Sequence, residues 1–153
     1  MKNGRIHETD VANLKQLGEF IENTFKYNLV DEAGITTIPP LDCREKEPTV
    51  LRTDDYETYF MNEAGTNKLM IKLNWIEKKK LNYLVLKEAI PFSQRVEKFK
   101  VCYEENGSMK ECYNGTTIGY KKIIDLKGIQ TDFLAIVIED SRVAPVMSFV
   151  GVY

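Results

Sequence analysis

Histidine is nearly absent from this chain: His7 stands alone among 153 residues. One imidazole excludes a histidine-built zinc constellation and leaves no histidine base paired with a nucleophile further along the chain. Cysteine is scarce too. Cys43, Cys102 and Cys112 make an odd count without the spacing of a disulfide framework. Cys102 and Cys112 flank an expected hairpin turn, and small, half-buried, reduced strand residues account for them, which favours a cytoplasmic setting. No apolar run approaches the roughly 18 residues of a membrane span, and MKNGRIHETD has no apolar h-region of a secretory signal. The formal net charge of -2 gives no footprint for nucleic acid or an acidic membrane. Lys78 to Lys80 form the only basic run and read as a solvated turn. P-loop and dinucleotide fingerprints are both missing, since Gly115-Thr-Thr-Ile-Gly119 has the spacing of neither. No dense carboxylate-and-carbonyl loop calls for calcium, so no cofactor or metal is expected.

What remains is an ordinary globular composition, 43% hydrophobic and 29% charged, in a length suited to one domain with an appendage. Val11, Leu14, Leu17, Ile21 and Phe25 recur at steps of three and four, which predicts an amphipathic helix. Thr9 is the expected N-cap and Asn28 the expected left-handed terminator. A helix of roughly 18 residues cannot bury such a stripe by itself and must dock on something. Gly34, two threonines and Pro39-Pro40 then read as a linker. The expected division is residues 1–30 for the helix and its junction, 31–48 for the linker and 49–153 for a β domain.

From Thr49 onward, about eight strands follow one another without helical crossovers. They are Tyr56 to Phe60, Leu69 to Leu73, Leu81 to Leu86, Phe99 to Glu104, Met109 to Tyr113, Thr116 to Leu126, Asp132 to Ile138 and Pro145 to Tyr153. Asn106-Gly107 is a strong hairpin signal. Antiparallel sheets in a jelly-roll-like β-sandwich are the expected architecture, with a closed barrel as the alternative. The stretch LKEAIPFSQRVEKFKV, Leu86 to Val101, breaks an apolar strand at Pro91 and resumes it as an alternating one. Such a polar corner suits a chain crossing between two sheets.

Catalytic candidates are few, because the carboxylate pairs Asp54-Asp55, Glu104-Glu105 and Glu139-Asp140 all fall at expected turns or strand ends. Binding candidates are planar and forked groups: Trp75, Tyr56, Tyr59 and Tyr120 for stacking on a sugar, and Gln94, Arg95 and Arg142 for its hydroxyls. Each has a structural alternative. Trp75 suits a core edge, and the five donors of Arg95 suit bridging loop carbonyls across the corner.

LKEAIPFSQRVEKFKV resembles the E-x-I-x-x-G-Q-R-V-x-x-F segment in the C-terminal β-sandwich of glycoside hydrolase family 29 alpha-L-fucosidases. Asn114-Gly-Thr-Thr-Ile-Gly-Tyr-Lys121 is similar to that domain's G-T-T-I-G-Y-K/R segment, and PVMSFVGVY to its closing strand. GRIHETDVANLKQLGEFIENTF resembles the junction where the catalytic barrel ends in a final helix. The resemblance covers nearly the whole chain and implies a galactose-binding-like, or discoidin-like, jelly roll. It also implies a non-catalytic accessory domain whose parent is a retaining fucosidase, with carbohydrate binding at the sandwich loops as the alternative role. The catalytic aspartate and acid/base carboxylate would then lie before residue 1, in a barrel that is the implied partner of the helix. Ser93 stands where the pattern has glycine, which bears on whether the corner takes a left-handed backbone angle. Met109 stands where an aromatic residue is commoner.

Overall fold

The computed structural model describes residues 6–38, 47–55, 57–62 and 65–153. Pro39-Pro40, Cys43 and Tyr56 lie outside the described residues. Helix α1 spans Glu8–Thr24. Its N-cap is His7 rather than Thr9: the imidazole Nδ1 accepts the Thr9 amide at 3.3 Å, and the His7 carbonyl accepts those of Asp10 and Val11. The expected terminator Asn28 is not left-handed. It takes an extended conformation (φ -84°, ψ 110°) and caps a short 3-10 turn, Leu29–Glu32. Its Oδ1 accepts from Val30 N at 3.1 Å and from Val152 N at 2.9 Å, so the residue fastens the chain after the helix to the last strand.

Seven strands follow among the described residues: β1 (Gly34–Ile38), β2 (Phe60–Met61), β3 (Leu69–Glu88), β4 (Val96–Glu105), β5 (Ser108–Gly115), β6 (Lys122–Ser141) and β7 (Val146–Val152). The count differs from eight because two expected breaks are continuous, which leaves six, and β1 adds a seventh. Leu69–Leu73 and Leu81–Leu86 are halves of the 20-residue β3, and the two stretches after Thr116 merge in the 20-residue β6. The lysines at 78–80 therefore lie in a strand, and Lys79 pairs with Glu32 at 2.9 Å. β1 arises inside the stretch expected as a linker. Its Ile-Thr-Thr-Ile run pairs with β3 from Gly34 opposite Asn74 to Ile38 opposite Met70, where β-branched residues favour a half-buried strand.

All ladders are antiparallel. The first half of β3 lies between β1 and the second half of β6, which continues to β4 and β5. The second half of β3 lies between β7 and the first half of β6, and β2 borders β7. Two layers thus share β3 and β6, which change layers where the register slips between Asn74 and Lys79.

A second slip, between Leu81 and Tyr83, changes the inward phase of β3. Leu69, Ile71, Leu73 and Leu81 are buried at odd positions, but Leu84, Leu86 and Glu88 are buried at even ones. The amides of Asn82 and Tyr83 both donate to the Tyr153 carbonyl, at 2.6 and 2.8 Å. Two residues facing one is a β-bulge, and it hands the inward face from one parity to the other. Both layers close on a single core that includes Leu51, Phe60, Ile71, Leu84, Phe99, Leu134 and Val150.

β3 ends in the second layer and β4 begins in the first, so the corner between them carries the chain across the sandwich. Pro91 lies in a 3-10 turn, Ile90–Phe92, and Ser93 follows at φ 69°, ψ 165°. The left-handed angle is therefore kept although a serine occupies the position. Such an angle costs a non-glycine residue on the order of 1–3 kcal/mol. Ser93→Gly is expected to raise stability by about 1 kcal/mol, the relieved strain being partly offset by glycine's greater unfolded-state entropy. A urea melt showing an unchanged or lower midpoint would contradict this.

Candidate functional site

The corner is held by one buried carboxylate. Glu88, 2% exposed, lies on the inward face of β3 with Leu84 and Leu86. Its Oε1 accepts the backbone amides of Arg95 at 2.7 Å and Val96 at 2.9 Å, and its Oε2 accepts that of Gly119 at 2.6 Å. The Glu88 amide in turn donates to the Gly119 carbonyl at 2.9 Å. Gly119 sits at φ 68°, an angle that favours glycine, with Gln94 Oε1 at ordinary contact distance, 3.4 Å, from where a β-carbon would lie. Arg95 completes the tie: Nε donates to the Phe92 carbonyl at 2.9 Å and Nη1 to that of Ala144 at 2.7 Å. Three stretches distant in sequence, around Glu88–Val96, Gly119 and Ala144, are thereby joined.

Beside this tie lies a cavity of about 200 Å³ whose lining includes Asp54, Tyr59, Lys87, Pro91, Phe92 and Tyr120. The rings of Tyr59 and Phe92 pack at 4.6 Å between centroids. Lys87, whose side chain is 13% exposed, donates to both carboxylate oxygens of Asp54 at 2.6 and 2.8 Å. Its ammonium also lies 5.6 Å from the Tyr120 ring and 5.7 Å from that of Phe149. Asp55 Oδ1 accepts the Glu57 and Thr58 amides at 2.9 and 2.6 Å and the Thr58 hydroxyl at 2.8 Å. The Thr58 amide foremost, then its hydroxyl, holds the Asp55 carboxyl below its ordinary value, and these bonds fix the loop.

Of the sequence candidates, Tyr120 lines this cavity and Tyr59 joins it. Gln94 is exposed and lies over Gly119, while Arg95 reaches backbone carbonyls. Trp75 is elsewhere: it is buried in the first layer and its Nε1 donates to the Leu29 carbonyl at 2.8 Å. Arg142 is an exposed partner of Glu97 at 2.8 Å. Sequence reasoning missed Glu88, Lys87 and Phe92 as contributors. A usable signal was present for Glu88, since a carboxylate two and four positions from buried leucines must find donors. Nothing local marks Lys87 as the partner of Asp54, 33 residues away.

Nucleophile chemistry finds no support at the described cysteines. Burial pushes the Cys112 thiol up to about 11, and burial raises Cys102 as well. Both are therefore thiols, not thiolates, near neutral pH. Among the described residues, no group of three or more His, Cys, Asp or Glu side chains is placed to hold a metal ion.

This architecture puts the chain among antiparallel β-sandwich domains that include carbohydrate-binding modules. Chitosan-binding module 1 of a Paenibacillus sp. IK-5 chitosanase/glucanase superposes with a TM-score of 0.70 at 13% identity, over 83% of this chain and 98% of that module, which shows the shared fold. Within that class, the chain is related to the C-terminal β-sandwich domain of alpha-L-fucosidases. Proteins named for alpha-L-fucosidase 1 in Oryza sativa subsp. japonica and Arabidopsis thaliana are 26% and 24% identical over 98% of this chain. A Ruminococcus gnavus GH29 fucosidase, solved in complex with fucose, matches with a TM-score of 0.85 at 26% identity over 98% of this chain and 31% of its own. The chain spans about a third of the length of the curated relatives, 30% and 31%. No protein-family model matches it.

Glu88→Gln is expected to destabilise the fold by on the order of 3 kcal/mol, because an amide offers one acceptor oxygen where the carboxylate uses two, and it loses the charge. Arg95→Ala is expected to cost about 1–3 kcal/mol by leaving the Phe92 and Ala144 carbonyls without that donor. Chemical denaturation checks both, and a neutral Glu88→Gln would refute the tie. For Cys112, peptide mapping after iodoacetamide treatment at pH 8 should show alkylation at least tenfold slower in the folded than in the urea-unfolded chain, with equal rates as the contrary result.

Proposed function

We propose that this chain is a non-catalytic accessory domain of an alpha-L-fucosidase, bracing the catalytic barrel or shaping access of α-L-fucosides to it. One observation carries the bracing role: helix α1 buries none of its residues. Val11, Leu14, Leu17 and Ile21 of its stripe are 47–58% exposed. Four large apolar side chains on one exposed face form an interaction surface, and the relatives' greater length supplies the candidate that covers it. The helix is anchored at its far end, where Phe25 packs on Tyr83 and Tyr153 at 5.7 and 4.9 Å. On this reading residues 1–30 are the junction and helix, 31–48 the linker, within which β1 adds an edge to the sheet, and 49–153 the sandwich.

A second reading, carbohydrate binding at the sandwich loops, is favoured by the aromatic-walled cavity beside Tyr120. Gln94, Arg95 and Trp75 lend it little, because the first is outside the cavity lining, the second serves backbone carbonyls and the third is buried elsewhere.

The test of the accessory role is to read the sequence upstream of Met1 for a fucosidase barrel and to produce that barrel together with the 153-residue chain. The chain alone is expected to leave an aryl α-L-fucoside unhydrolysed and to co-purify with the barrel. Leu14→Asp with Leu17→Asp should weaken that association at least tenfold, since about 1.4 kcal/mol is tenfold and each buried leucine contributes about 1.5–3 kcal/mol. Hydrolysis by the chain alone, or no barrel encoded there, overturns the proposal.

A further inference from the structure

We infer that the cavity between the Asp54–Asp55 loop and the Ile90–Phe92 turn is a binding site for a single neutral pyranose ring. The inference rests on the carbohydrate reading and is independent of the accessory role. Ligand pockets for drug-sized molecules run to about 300–1,000 Å³, so a cavity of about 200 Å³ suits one ring. Its walls are complementary in kind to such a ring. Tyr59, packed on Phe92, and the half-exposed Tyr120 offer ring surface to the C–H face of a sugar. At the polar end, the Asp54–Lys87 pair offers an acceptor and a donor side by side, the arrangement that two neighbouring hydroxyls match.

Charge selects among sugars. Lys87 is the one basic group in the lining among the described residues, and both oxygens of Asp54 already engage it. An anionic sugar would face the carboxylates of Asp54 and Asp55, and an amino sugar would compete with Lys87 for Asp54. A neutral ring disturbs neither. The site is also fixed in advance. Asp55 pins its loop through three hydrogen bonds, Pro91 restricts the turn, and Glu88 ties that turn's following residues to Gly119, next to Tyr120. Preorganisation of this kind lowers the ordering cost that otherwise weakens small-ligand binding.

The test is an amide-resolved NMR titration of the 153-residue chain with methyl α-L-fucopyranoside and methyl β-D-galactopyranoside, and with glucuronate and glucosamine for comparison. Saturable shifts with at least one neutral glycoside, at millimolar concentration and centred on residues 54–59, 87–92 and 120, are expected. Tyr120→Ala should weaken binding about tenfold, and Trp75→Phe, away from the cavity, should leave it unchanged. Circular dichroism of Tyr120→Ala confirms its fold, and Tyr120→Phe, which keeps the ring, should retain binding. No saturation with either neutral glycoside, shifts centred elsewhere, tighter binding of glucuronate or glucosamine, or undiminished binding by folded Tyr120→Ala would each overturn the inference. Failure here with barrel association intact would leave the accessory role standing.

Discussion

The Glu88 carboxylate is the interaction on which the corner depends. A carboxylate withdrawn from water is costly unless its oxygens find donors, and here three backbone amides supply them. Two of those amides lie at the start of β4 and the third belongs to Gly119, so one side chain sets where β4 starts and where the chain before β6 passes. Arg95 works from the other side by drawing in the Phe92 and Ala144 carbonyls. Carboxylate and guanidinium divide the labour by sign: one receives main-chain amides and the other donates to main-chain carbonyls, groups that the crossing takes away from ladder partners.

The long strands impose the complementary constraint. β3 and β6 stay paired through both layers, which makes the sandwich one continuous hydrogen-bonded sheet folded over its own core. Continuity requires bulges, because a strand that turns from one layer to the other must also keep its apolar side inward. The slip at Asn82 does this for β3, and the amides of Asn82 and Tyr83 are received by the last residue of the chain, Tyr153. Tyr153 also packs against Phe25. The end of β7 thereby links the helix anchor to the bend, and burial foremost pushes the Tyr153 phenol up from its ordinary value.

Two surfaces follow from this frame, and they differ in physical character. The helix stripe is apolar and open, suited to a large partner. The cavity beside the corner is small, ring-walled and furnished with one ion pair, suited to a small molecule. Arg95, which the sequence allowed as either ligand group or lock, belongs to the frame: its bonds run to carbonyls at the corner. Tyr120, next to Gly119 in the same tie, instead lines the cavity. Neighbouring positions in one motif therefore divide between holding the fold and furnishing a surface.

Much of the fold was legible from local pattern. The i, i+3, i+4 spacing from Val11 to Ile21 marked the helix, alternation marked Leu69–Leu73 and Phe99–Tyr103, and Asn106-Gly107 marked the hairpin, where both residues take left-handed angles of 54° and 78°. These signals survive because they arise between near neighbours in the chain. The β1 strand, the fused β3 and β6 and the His7 cap were not legible in the same way. Pairing with a distant strand decided the first two, and a side chain outside the apolar period decided the third. By itself, then, the sequence determined an amphipathic helix, an antiparallel β domain and a corner at Pro91, together with the segments that mark its kinship. Only the tertiary structure decided that Glu88 receives an amide 31 residues away, that Lys87 meets Asp54 and that Trp75 turns to Leu29 instead of joining Tyr120 in the cavity. Hydrogen bonds and ion pairs of that reach depend on how the layers pack, and packing is set by the whole core, not by any window of neighbouring residues.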